Sequence, residues 1–232
     1  MSLLERVCSK FIAWGCLGKT GKSKRKVEEV FMLDQIVEVV LKTLYAKSSG
    51  LYNHSVTTGK LAHRLVIAGD FCQEFEPQHA HIAGILHDVG KLSLPDSILL
   101  KVEALDESER DIMELHPIWG GQFVQGTDLE PFKEMILHHH ECPTGTGYPF
   151  GIKNVGVEAR VIQVADRLAA LMDDRPYCRE ILDPHSLFQE LRNVVDRLFS
   201  GEQERKMLHG VRVVLGLAEG KHSRPVFSVV GP

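Results

Sequence analysis

The sequence predicts an all-α protein. Apolar residues recur at three- and four-residue steps along most of the chain, and alternating strand-like segments are nearly absent. From Val27 the helical pattern runs to about Lys47 through Val30, Phe31, Ile36, Val37, Val40, Leu41 and Leu44. A second stretch covers about Tyr52 to Ala68, a third His79 to Leu86, a fourth Asp106 to His116 and a fifth Gly120 to about Gly126. Pro117 opens or interrupts the join between the last two. A helix from Pro131 leads into the run LHHHECPTGTGYP, and another spans Val157 to Met172. After Asp183 and Pro184, helices are expected at about Ser186 to Phe199 and Glu202 to Leu217, ending near Gly220. The expected organisation is an amphipathic start and basic linker over residues 1–26, one helical domain over 27–220, and a loose tail over 221–232.

Composition narrows the function classes. A chain of 232 residues that is 44% hydrophobic can bury a substantial core. Its formal net charge of -4 gives no broad positive field for duplex nucleic acid or an anionic membrane, so an anionic ligand needs local positive charge such as bound metal. Cys8, Cys16, Cys72, Cys142 and Cys178 are scattered without a CxxC pair, which argues against a disulfide framework or a structural zinc site and for a reducing cytoplasm. Glu5, Arg6 and Lys10 interrupt the apolar start, so no signal peptide is expected, and no segment reaches the length of a membrane span. GKTGKS looks like the tail of a phosphate-binding loop, but the pattern requires glycine where Cys16 stands.

The richest segment is HAHIAGILHDVGKLSLPDSILL, in which a helix ends in His87-Asp88-Val89-Gly90-Lys91. Gly90 suits a helix C-terminus, where left-handed backbone is common. Histidine and aspartate at such an end can turn toward one point, the imidazole to one metal and the carboxylate to two, with Lys91 adding charge. A hydrogen-bonded pair at a helix terminus is the plainer reading of that dipeptide alone. Further candidates stand on other helices: His54, His116, His139, His140 and Asp166. A helical bundle assembles such centres from side chains of facing helices. A mixed imidazole and carboxylate set suits Fe, Mn, Zn or Co rather than Mg alone.

These residues, in order, resemble the HD superfamily of metal-dependent phosphohydrolases, and within it the HD-GYP domains. The matching pieces are His54-Ser55, HDVGK, SLPDSILLK, HPIWG, HHE with GTGYP, and VAD with DRPY, from about Leu51 to Arg179. The resemblance implies an all-helical HD bundle and hydrolysis of cyclic di-GMP to pGpG or GMP by a water that two metal ions acidify. It implies metal ligands at His54, His87, Asp88, His116, His139, His140 and Asp166, with Asp88 bridging. The ions expected are two divalent transition metals, Fe or Mn first, with Zn, Co or Ni as further options. Lys91 would contact a substrate phosphate or metal-bound water, Gly147, Tyr148 and Pro149 would belong to the nucleotide loop, and Arg175 would face phosphates or guanine. Homodimerisation or a signalling-protein partner is also open, although the first fifty residues are too short for a receiver-type sensor domain.

Three positions depart from the family pattern. Thr144 replaces a common aspartate in HHExxDGxGYP, and keeps a hydroxyl for turn hydrogen bonds but no charge. Ala169 replaces the second aspartate of ADxxDAL. Gly50 stands where some members carry a glutamate for a third metal, so two ions are expected here. Glu141 could orient a ligand histidine or cap the turn. His138 is expected outside the ligand set, and His79 and His81 as ordinary helix residues. Because of Thr144, another cyclic dinucleotide or phosphorylated metabolite is an alternative substrate, and a nucleotide-binding module without turnover is the alternative from another class.

Overall fold

The computed structural model describes residues 23–173 and 183–217, with side chains from residue 33 onward, and among the described residues no strand occurs. The chain divides into two units, Met1–Gln35 and Ile36–Pro232. Helix α1 (Ser23–Lys47) begins in the first and continues into the second. It starts before the expected Val27, because Ser23-Lys24-Arg25-Lys26 contains no breaker and lysine and arginine are good helix formers. The remaining helices are α2 (Ser49–Ala68), α3 (Pro77–Leu86), α4 (Asp96–Leu99), α5 (Glu107–Met113), α6 (His116–Val124), α7 (Lys133–His138), α8 (Val157–Met172), α9 (Pro184–Leu198) and α10 (Gly201–Val214). Short 3-10 turns occupy Val89–Ser93 and Glu130–Phe132.

Local chemistry explains the boundaries. The Ser48 side chain accepts from the Leu51 amide, so α2 opens earlier than expected and takes Gly50 into its first turn. Asp106 and Glu109 form a capping box at the start of α5. Asp183 accepts from the amides of His185 and Ser186 at the start of α9. Pro117 does not break a helix; it sits in the first turn of α6, where its missing N–H costs nothing. The four-residue α4 was not expected, being too short to show a period.

In the second unit α2 is the central helix, packed against α3, α8 and α10. Leu61 and Leu65 of α2, Leu86 of α3, Ile162 and Leu168 of α8 and Met207 of α10 are fully buried there. Each such side chain contributes about 1.5–3 kcal/mol by leaving water. Helix α9 lays Leu187, Leu191 and Val195 inward, against α8 and α10. This packing fixes α8 beside α2 and brings the C-terminal ends of α3, α5 and α7 to a common region. No helix among the described residues is long and apolar enough to cross a membrane.

Candidate metal centre

Three of the histidines are placed by one local device. His87 and His139 directly follow α3 and α7, and His116 comes three residues after Met113, the end of α5. Each ring donates from Nδ1 to the carbonyl three residues earlier: Gly84 at 2.7 Å, Ile136 at 2.7 Å and Met113 at 2.8 Å. The last carbonyls of a helix lack intrahelical partners, so the contact satisfies one of them. A carbonyl only accepts, which places a proton on Nδ1 and leaves the Nε2 lone pair of the neutral ring free to ligate. All three side chains are buried.

Those Nε2 atoms converge on Asp88, itself buried in the 3-10 turn region after α3. Asp88 Oδ1 lies 3.2 Å from His116 Nε2 and 3.9 Å from His139 Nε2. Its other oxygen, Oδ2, lies 3.2 Å from His87 Nε2 and 3.9 Å from His54 Nε2. The Nε2 atoms of His116 and His139 stand 3.3 Å apart. These approaches are close but poorly aligned: Asp88 Oδ1 and His87 Nε2 are buried without a hydrogen-bond partner. Two sets of donor atoms can each hold an ion, Asp88 with His116, His139 and His140, and His54 with His87 and Asp166. Facing lone pairs and an orphaned carboxylate oxygen are costly when buried, and a divalent cation among them satisfies all of these groups at once. The donor set therefore fits a metal, and its mixture of nitrogen and oxygen fits a transition metal.

The same field acts on protons. Burial and the neighbouring imidazoles hold His139 well below the ordinary histidine value, and burial first pushes His140 down to about 3. Both rings stay neutral. Burial opposes charge on His87 too, but the Asp88 and Asp166 carboxylates outweigh it and push its pKa up to about 10. Burial likewise opposes a charge on His54, where hydrogen bonds to Asp166 and Asp173 prevail and raise the pKa. His54 Nε2 lies 2.8 Å from Asp166 Oδ1, and Nδ1 lies 3.2 Å from Asp173 Oδ2. Lys91 donates to Asp88 Oδ2 at 2.6 Å, so the carboxylate oxygen that faces His87 and His54 is held by an ammonium. A cavity of about 390 Å³ opens over His54, Asp88, Lys91, Asp166 and Asp173, with Gly50 on its wall.

The loop after the histidines is built around Glu141. This buried carboxylate accepts from the Phe150 amide at 2.6 Å and the Ile152 amide at 3.0 Å. It caps the turn, and both of its oxygens are taken by these amides and not by a histidine. Gly145 adopts a left-handed φ of +79°, whereas Gly147 is required by proximity: a Cβ there would meet Glu141 Cα at 2.4 Å and the His140 carbonyl at 2.5 Å. Tyr148 stacks on His140 with ring centroids 4.5 Å apart, and burial raises its phenol above the ordinary range, so it stays neutral. Pro149 follows, half-buried. Thr144 hydrogen-bonds locally, to Thr146 Oγ1 at 2.8 Å and to Cys142 Sγ at 3.1 Å.

The structure thus brings together His54, His87, Asp88, Lys91, His116, His139, His140 and Asp166, with Gly147 and Tyr148 behind His140. Arg175 lies outside the described residues. His138 turns away toward Glu134 and Phe150. Gly90 corrects an expectation: it has no left-handed φ, and a Cβ there would lie 1.9 Å from the His116 carbonyl. Asp173 was missed, although its seven-residue spacing from Asp166 sets it at the C-cap of α8, on the side of the helix that carries Asp166. Ala169, in place of an aspartate, is buried in the packing of α8.

Residues 38–197 match the HD domain family, and the chain belongs to it. Over 135 residues it is 36% identical to the cyclic di-GMP phosphodiesterase response regulator RpfG of Xanthomonas campestris pv. campestris, covering 56% of this chain and 34% of the relative. It is 28% identical over 189 residues to a cyclic di-GMP phosphodiesterase of Thermotoga maritima, covering 77% and 51%. It is 32% identical over 162 residues to 3'3'-cGAMP-specific phosphodiesterase 1 of Vibrio cholerae, covering 67% and 36%. The alignments therefore span between a third and about half of these relatives. Among solved structures, the HD domain of the L. monocytogenes phosphodiesterase PgpH shares the fold, with a TM-score of 0.57 at 16% identity over 74% of this chain and 94% of that one.

Proposed function

We propose that this chain is a metal-dependent phosphodiesterase that hydrolyses cyclic di-GMP to pGpG or GMP. One observation carries the proposal: Asp88 directs one carboxylate oxygen to His116 and His139 and the other to His87 and His54, the arrangement expected of a bridge between two ions. Its relatives named as cyclic di-GMP phosphodiesterases supply the substrate class. In this reading His54, His87 and Asp166 hold one ion, His116, His139 and His140 the other, and Asp88 both. Fe or Mn are the ions preferred, with Zn, Co or Ni able to occupy the same donors. When bound, two such ions supply an acidified water and Lewis-acid stabilisation of charge at phosphorus.

The protein's own groups do the rest. Lys91 keeps Asp88 ionised and turned between the two sets, and presents positive charge to a substrate phosphate at the cavity. Glu141 and Gly147 set the course of the loop, so that Tyr148 buttresses His140 while Tyr148 and Pro149 wall the nucleotide site. Arg175 completes the phosphate contacts in this proposal. The free thiols of Cys72 and Cys142 support a reducing compartment, which we take to be the cytoplasm.

Anaerobically purified protein, assayed by elemental analysis and by separation of products from cyclic di-GMP, tests the reading. His87→Ala and Asp88→Ala should each lose ions, and hydrolysis should fall by more than the roughly 10–100-fold that loss of an outer hydrogen-bond partner costs. Retained hydrolysis in either variant would remove the proposed mechanism, and a metal-to-protein ratio near three in loaded protein would remove the dinuclear count. The cGAMP-specific relative and the uncharged Thr144 favour one second reading, 3'3'-cGAMP as substrate. Faster turnover of 3'3'-cGAMP than of cyclic di-GMP in the same assay would establish it. Binding of either nucleotide without turnover by metal-loaded protein would mark a sensing module instead.

A further inference from the structure

The imidazoles of the two donor sets are not all held alike. His87, His116 and His139 rest Nδ1 on backbone carbonyls at helix ends. His54 stands inside α2, where backbone carbonyls are engaged within the helix, and its Nδ1 meets a side-chain carboxylate, Asp173 Oδ2, at 3.2 Å. Asp166 lies on α8 and Asp173, seven residues on, is the residue that caps its C-terminus, so the end of one helix clasps the His54 ring from both sides, Asp166 at Nε2 and Asp173 at Nδ1. Ala170, which lines the cavity between them, has no side-chain polar atom to offer.

We propose that Asp173 is the positioning residue of His54: its carboxylate keeps a proton on Nδ1, turns Nε2 toward the donor set of His87 and Asp166, and so sets the affinity of that one ion. The proposal rests on the metal reading given above. A carboxylate behind a ligating imidazole fixes its tautomer and strengthens it as a donor. Asp173 is 40% exposed, so water shares its charge, and the cavity opens on it together with His54 and Asp166. The Asp88, His116, His139 and His140 set makes no contact with Asp173 and should not respond to it.

Metal-free full chain, titrated with Mn2+ while free ion is counted by its magnetic resonance signal, tests this, with the visible absorption of Co2+-loaded protein read in parallel. Wild type should take two ions, and Asp173→Ala should weaken one of them by roughly 10–100-fold, shift the Co2+ spectrum and leave the other ion unchanged. Asp173→Asn, which keeps an acceptor without charge, should fall between and covers the case of a poorly folding alanine variant. In a His54→Ala background Asp173→Ala should cause no further loss, because two residues acting through one contact are not additive. Unchanged affinity in both Asp173 variants, equal weakening of both ions, or a further loss in the His54→Ala background would overturn the proposal. Wild-type protein that takes up neither ion would overturn the metal centre itself, so the two failures are distinguishable.

Discussion

Asp88 and Gly90 show how closely chemistry and packing are joined at the residue scale. Gly90 faces the backbone of His116 and Gly120 with no room for a methyl group. Gly90→Ala is expected to cost about 1–3 kcal/mol in chemical denaturation, the usual penalty of overpacking, and to weaken metal uptake by displacing His116. Glu141 gives a contrasting outcome. Glu141→Gln puts an amide donor where one of two backbone amides needs an acceptor, and should cost about 1.5–3 kcal/mol and lower kcat/KM while metal content stays at the wild-type level. Residue types at the centre were legible from sequence because histidine and aspartate at helix ends have few other purposes in such number. Their partners were not. The carbonyls of Gly84, Met113 and Ile136 leave no mark on the sequence, and the reason for Gly90 lies on another segment.

At the scale of elements, each donor depends on the integrity of the helix behind it. Helix α5 has seven residues, buries none of them and relies on its capping box, yet its last carbonyl holds His116. Asp106→Ala should lower the midpoint of a thermal or denaturant melt and loosen metal binding, although Asp106 touches no donor. Leu191, fully buried in α9, should cost about 2–5 kcal/mol as alanine, while folded variant protein keeps its metal stoichiometry, since α9 carries no donor. Long helices were legible because they have enough turns to show a period, and α8 was expected with the bounds it has. Helix α4 and both 3-10 turns fall below that length, and the start of α1 was obscured by charge that reads equally as linker.

For the whole molecule, histidines pull the pH dependence of stability in two directions. Burial lowers His81 to about 4 and His140 to about 3, against 6.5 in the unfolded chain. Below pH 6.5 the unfolded state binds those protons first, so their neutral burial costs stability as pH falls toward 4. His87, pushed up to about 10, acts oppositely: its contribution is complete below pH 6.5 and fades as pH rises toward 10. The metal-free protein should therefore have its highest Tm near pH 6.5. In the proposed dinuclear reading a bound metal would occupy the lone pair that His87 otherwise protonates, so adding Mn2+ should raise Tm most on the alkaline side and move the maximum upward. An unchanged pH profile with Mn2+ bound would contradict this coupling.

The histidines that follow α3, α5 and α7 make the centre sensitive to count more than to composition. An α-helix turns about 100° and rises about 1.5 Å per residue, so adding or deleting one residue within α5 or α7 swings His116 or His139 away from Asp88, and one within α3 carries His87 and Asp88 together away from the other imidazoles. Exposed positions along the same helices can be exchanged without moving them. Descendants of this sequence can thus drift widely in their letters while insertions and deletions are confined to the loops between these helices, and preserved spacing, more than identity, would mark a working copy.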